Sequence, residues 1–184
     1  MATSLAGAID AKDPYTKDHS TSVSRYSEAL ARAINLPEDE VQRIKLGALL
    51  HDVGKIGIPE NVLKKPSHLS DEEWEIMKQH PVIAEKVLAP NEALRDLIPM
   101  VKYHHEHYDG SGYPEKLKGE EIPLSARIVS VADAYHALIS DRPYRKGLGV
   151  EKACEILRMG AGTQWDSDLV RQFITIAPSL STSI

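Results

Sequence analysis

Apolar residues recur every three or four positions almost throughout the chain, and no segment alternates cleanly in the manner of a half-buried strand. Val23, Tyr26, Leu30 and Ile34 form one helical stripe that stops near Leu36-Pro37. Val41, Ile44, Leu46, Leu49 and Leu50 form the next, and it runs directly into His51-Asp52. Residues 54–59, with two glycines and a proline, break the period and predict a loop. Ser70 followed by Glu73 has the spacing of a capping box, opening a helix that carries Trp74, Ile76 and Met77. Pro81 directly after His80 predicts that a helix ends or restarts there. One further helix is expected over 92–105, followed at 108–123 by a long Gly- and Pro-rich loop, a kind that often carries function. Helical spacing returns in Ile128, Val131, Ala132, Tyr135 and Leu138, then in Ala153, Ile156 and Leu157, and last in Leu169, Val170, Phe173 and Ile174. The tail 178–184 is expected to fray. The pattern as a whole predicts an all-α fold, a single helical bundle.

Length adds that residues 1–184 make one domain with a real core, with no room for a second complete one. The 42% hydrophobic and 27% charged content is that of an ordinary globular chain. No apolar run approaches the roughly 18 residues a membrane span needs. Residues 1–8 lack the cationic flank and apolar core of a secretory signal, and the single cysteine, Cys154, cannot close an intrachain disulfide. A cytoplasmic chain without membrane contact is therefore expected. A net charge of −5 disfavours a long nucleic acid but leaves open a small phosphorylated ligand held by metal ions and a few local cations. The chain opens directly in helical sequence, so it reads as a module tethered to, or cut from, a larger regulatory protein.

The histidines change the picture most. There are eight, and five of them (His19, His51, His80, His104 and His105) sit beside other potential metal ligands. His51-Asp52 closes an apolar helix and leads into Val53-Gly54-Lys55. Alone, the pair reads as a solvated helix end. An Asp can, however, bridge two divalent ions while its neighbouring His binds one of them, and Lys55 would place an ammonium where an anionic substrate lies. The glycines at 54 and 57 would let the backbone turn tightly there. A second doublet, His104-His105, closes another apolar helix ahead of Glu106 and Asp109-Gly110. Asp133 lies within the apolar stretch 128–138, where a carboxylate is costly to bury unless paired or metal-bound.

Taken in order, His51-Asp52, Gly54-Lys55, His80, His104-His105, Gly110-Ser111-Gly112-Tyr113-Pro114 and Asp133 resemble the HD-GYP family of metal-dependent phosphohydrolases. The likeness extends from Asp13-Pro14-Tyr15-Thr16 and His19-Ser20 to Gly162-Thr163-Gln164. It implies an HD-type helical bundle with a metal centre in its core and the Gly-Tyr-Pro loop over the site. One ion would take His19, His51, Asp52 and Asp133, and a second would take Asp52 as bridge with His80, His104 and His105. The mixed imidazole and carboxylate set suits iron, manganese or another first-row divalent ion. Members with three metals resemble one another in a Glu one turn before the position of His19. Tyr15 stands there, so two divalent ions are expected.

The implied activity is hydrolysis of cyclic-di-GMP to pGpG, and on to GMP, by in-line attack of a hydroxide bridging the two ions. Asp52 and Lys55 would be catalytic. Lys55, Tyr113, Arg142 and Arg145 would contact substrate, the arginines reaching phosphate or guanine. Two features depart from the family pattern: His136 stands where relatives commonly have Asp, and His107 where many have Arg. Either could alter substrate fit or the outer contacts that orient the ligands. Trp74 and Trp165 read as core or rim packing, Cys154 as a small core residue, His68 as solvated, and Glu106 as support behind the ligands or at a helix end. Two other functions stay open: a weakly catalytic cyclic-dinucleotide binding module, or an HD phosphohydrolase for another nucleotide. The partner beyond the ligand would be a regulatory domain or a second copy of the chain.

Overall fold

Asn35, with φ of 59°, ends the first long helix, α1 (His19–Ala33), and Pro37 then opens α2 (Glu38–Leu50). In this computed structural model the described residues are 18–141 and 146–180, together with Leu5, Gly7 and Lys12. Acidic residues 38–40 fill the first turn of α2, where the helix dipole favours negative charge. The segment expected as a loop after His51-Asp52 winds instead into a 3-10 helix, Val53–Gly57. Two short helices follow, α3 (Glu60–Leu63) and α4 (Asp71–Met77). The capping box on α4 is present as expected, with Ser70 and Glu73 bonding reciprocally. Next, α5 (His80–Leu88) begins at the histidine with Pro81 in its first turn, a position where the missing N–H costs nothing.

The single helix expected over 92–105 is split. Residues 92–97 form a 3-10 turn, and α6 (Ile98–Tyr103) starts just before Pro99, whose ring cannot continue an α-helix entering from the N-terminal side. The loop that follows contains one short 3-10 turn, Gly119–Glu121, and leads into α7 (Leu124–Ile139). Two amphipathic helices complete the order, α8 (Val150–Gly160) and α9 (Ser167–Leu180). The last helix continues through Pro178 to Leu180, three residues into the segment expected to fray. No strand is present among the described residues, and no helix among them is long and apolar enough to cross a membrane.

Helix α1 packs on α2, α7 and α9, and α7 also packs on α6 and α8. Their apolar faces build the main core around Tyr26, Tyr135 and Phe173, whose rings meet edge to face at 4.9–6.4 Å. Cys154 and Trp165 lie in that core, as expected. A second, much smaller cluster (Ile58, Val62 and Leu63, against Leu69, Met77 and Ile83) supports α3 and α4 separately.

Candidate metal centre

Helix ends supply most of the site. His19 is the first residue of α1, His51 follows the last residue of α2, His80 opens α5, and His104-His105 follow α6, whereas Asp133 comes from the middle of α7. Neighbouring side chains in a regular helix diverge by about 100°. At both doublets the chain is leaving the helix: Asp52 adopts φ −93° and ψ 7°, and the two rings of His104 and His105 come to 4.0 Å between centroids. Gly54 fixes the spacing between the first doublet and His80. A Cβ there would overlap the His80 carbonyl oxygen, so only glycine lets the 3-10 helix lie against the start of α5. Its role is this close approach, not the tight turn expected from sequence.

Two groups of potential ligand atoms result, Asp52 with His80, His104 and His105, and Asp52 with His19 and His51, each with its atoms within 4.8 Å of one another. Asp52 belongs to both. Its Oδ1 lies 3.4 Å from His80 Nε2, and its Oδ2 lies 3.4 Å from His51 Nε2 and 3.6 Å from His19 Nε2. Asp133 joins through Oδ1, 3.4 Å from His19 Nε2.

The outer ring nitrogens decide which lone pairs face inward. Nδ1 of His51, His80 and His104 lies 2.7, 2.9 and 2.7 Å from the carbonyl oxygens of Ala48, Met77 and Val101. A carbonyl only accepts, so each Nδ1 carries the proton and each Nε2 presents a lone pair to the cluster. Nε2 of His80 and of His104 is buried without a hydrogen-bond partner, an arrangement that is costly unless something else is bound there. Burial lowers the pKa of His80 to about 4 and, with His51 and His80 nearby, that of His104 to about 3. Burial and the neighbouring His104 and His80 hold His105 well below the usual range too. Burial would raise Asp52 and Asp133, but their neighbours outweigh it. Lys55 and His51 hold Asp52 well below the usual carboxylate range, and His19 and His51 lower Asp133. Neutral imidazoles facing ionised carboxylates are the protonation states a divalent first-row ion requires, so the residues present fit such an ion.

The cluster forms the floor of a cleft of about 280 Å³, walled by Lys55, Leu63, Trp74, Met77, Tyr113 and His136. Lys55 Nζ lies 2.7 Å from Asp52 Oδ2. Tyr113 stacks on His105 at 4.9 Å, and burial, followed by Asp52 and Asp133, raises its pKa so that the hydroxyl keeps its proton. Its loop is held closely from below. Gly110 takes φ 84°, and a Cβ on Gly112 would run into the backbone of residues 105–107. Glu106 Oε1 accepts from the Glu115 amide at 2.7 Å, and Tyr108 and Asp109 donate to the carbonyls of Gln164 and Thr163.

All seven expected metal ligands therefore converge, and Lys55 and Tyr113 line the same cleft. Arg142, Arg145 and Tyr15 lie outside the described residues. His107 pairs with Ser111 in the loop, and His68 is exposed. Sequence reasoning missed Trp74 as a wall residue: it is 46% exposed and meets Tyr113 edge-on. None of the residues of its helix is buried, which the helical spacing of Trp74, Ile76 and Met77 does not reveal. It also left open the contact of His136, which lies against His19.

The family described as HD domain matches residues 4–169 of the chain. The cyclic di-GMP phosphodiesterase response regulator RpfG of Xanthomonas campestris is 42% identical over 164 residues, 88% of this chain and 43% of that protein. A 3'3'-cGAMP-specific phosphodiesterase of Vibrio cholerae is 35% identical over 168 residues, 91% of this chain and 36% of that protein. The chain thus spans less than half the length of these curated relatives. Among solved structures, an HDG"Y"P protein from Bdellovibrio bacteriovorus matches with a TM-score of 0.72 and 25% identity, over 87% of this chain and 51% of that one. Family match, relatives and gathered motifs agree: the chain belongs to the HD-domain family and, within it, to the HD-GYP type.

Proposed function

We propose that this chain is a metal-dependent phosphodiesterase that hydrolyses cyclic-di-GMP to pGpG and onward to GMP. The observation that carries the reading is Asp52, whose two oxygens face two separate histidine groups on the floor of an open cleft. His19, His51, Asp52 and Asp133 would hold one ion, and Asp52, His80, His104 and His105 a second. Such ions, iron or manganese by the character of the donors, would supply Lewis acidity and lower the pKa of a bound water. Lys55, beside Asp52, is within reach of a non-bridging phosphate oxygen. Tyr113, kept protonated, donates a hydrogen bond toward the same space. Arg142 and Arg145 keep their expected role as phosphate or guanine contacts.

A second substrate reading, hydrolysis of 3'3'-cGAMP, is favoured by the Vibrio cholerae relative named for that activity. The test is anaerobic incubation of iron- or manganese-loaded protein with each cyclic dinucleotide, separation of products, and metal analysis of the same sample. Two ions per chain with pGpG and GMP from cyclic-di-GMP support the proposal. Two ions with product only from the mixed dinucleotide move the substrate to cGAMP. Two ions and no product from either leave a binding module.

A further inference from the structure

Of the five histidines in the cluster, three are oriented in one way and His19 in another. His51, His80 and His104 each spend Nδ1 on the main-chain carbonyl three residues earlier. His19 opens its helix, and its Nδ1 lies instead 2.9 Å from Nδ1 of His136. Its other nitrogen, Nε2, faces the cluster, 3.3 Å from His51 Nε2 and 3.4 Å from Asp133 Oδ1. Two ring nitrogens at 2.9 Å share one proton, so one ring donates and the other accepts.

If His19 offers the Nε2 lone pair inward, its proton sits on Nδ1 and His136 Nδ1 is the acceptor. The proton of His136 is then on Nε2, 3.0 Å from Ser140 Oγ, which accepts it. The chain of hydrogen bonds thus has one direction, His19 to His136 to Ser140. His136 lies one turn beyond Asp133 on α7, so one rigid helix carries both a carboxylate of the cluster and the group that aims His19.

We propose that His136 is a positioning residue for the metal centre: its neutral imidazole accepts the Nδ1 proton of His19 and so fixes the nitrogen and ring orientation that His19 presents to the ion. The proposal rests on the cluster being a metal site. It assigns His136 to one ion only, the one that His19 would share with His51 and Asp133. The other ion would be held by histidines that His136 does not touch in any contact described above.

The test is titration of the metal-free whole chain with Co(II), followed by its absorption spectrum, for wild type, His136→Phe and His136→Asp. His136→Phe should weaken one of two binding steps about 10–100-fold, the usual cost of losing an outer hydrogen bond to a ligand. The other step and the melting temperature of the metal-free protein should not move. His136→Asp, whose carboxylate can accept the same proton, should restore the weakened step. Two unchanged steps in His136→Phe, equal loss of both, or no rescue by His136→Asp would each overturn the assignment. Failure of wild type to bind any Co(II) would instead sink the metal reading beneath it. Long-range proton–nitrogen spectra of the metal-free wild type give an independent check: His19 should carry its proton on Nδ1, and a proton on Nε2 would also overturn the proposal.

Discussion

The floor and the wall of the cleft are built by different means. The floor is anchored in the main core. Its ligands extend the ends of α1, α2, α5 and α6 or stand on α7, and most of them are almost fully buried. The wall is thinner. Leu63 and Met77 belong to the small cluster under α3 and α4, Trp74 stands on α4, and Tyr113 rests on a loop tied down by Glu106, Gln164 and Thr163. Rigid burial suits ligands that must stay neutral and aimed, whereas a lightly supported wall can admit a large, flat substrate. Changes in the floor should therefore abolish metal binding and turnover together, while changes at Leu63, Trp74, Met77 or Tyr113 should alter substrate affinity and leave the metal in place.

The largest effect should come from Asp52→Ala, which removes the one group common to both halves of the cluster. Turnover should fall by more than about 10³-fold, since several kcal/mol of charge stabilisation depend on the ions. Metal analysis of the same variant should show less than the wild-type content. Full metal content in that variant would break the floor side of the comparison.

Gly54→Val should come next. The added side chain overlaps the His80 carbonyl, so either the 3-10 helix or α5 must shift, at a cost of about 3 kcal/mol. A lowered melting temperature together with reduced metal content would be the expected result. A stable variant with normal metal content would show that the spacing between Asp52 and His80 is less constrained than the close packing implies.

Acid sharpens the same contrast. His80 moves from 6.5 in the unfolded chain to about 4 in the fold, because burial disfavours the charged ring. Unfolded chains therefore bind more protons in this window. The stability such a histidine contributes is complete above pH 6.5 and is lost as pH falls toward 4, by up to ~1.4 kcal/mol per pH unit for each group. His104 and His105 shift in the same direction. Melting temperatures of metal-free protein should thus fall between pH 7 and 5, and a flat profile would contradict the buried neutral floor.

The floor was also the more legible region in the sequence. Histidines and carboxylates in a fixed order are conspicuous against apolar helical periodicity, and every one expected there converges. The wall was not legible, because it depends on tertiary placement. Trp74 has the spacing of a helix-face residue, and nothing local reveals that α4 turns that face toward a cleft. The split of the helix at 92–103 is different, since Pro99 was a visible signal and the apolar period around it masked the break. His136 stood out only as a departure from a pattern, and its partner His19 lies 117 positions away.

The smallest effect on the protein itself, and the cleanest test of the wall, should come from Trp74→Ala. The indole is 46% exposed, so its removal should change stability by no more than about 0.5 kcal/mol and leave metal content unaltered. Tyr113 already has one ring face against His105, which leaves Trp74 as the more open aromatic surface on this side of the cleft. Stacking of a base on an aromatic side chain contributes about 1–3 kcal/mol, so KM for cyclic-di-GMP should rise roughly tenfold or more in Trp74→Ala while kcat changes little. Trp74→Phe should recover most of the loss, because it restores a flat surface without the indole N–H. A variant that lost metal, or lost kcat with KM unchanged, would mean that the wall is part of the floor's support and that the two regions are not separable.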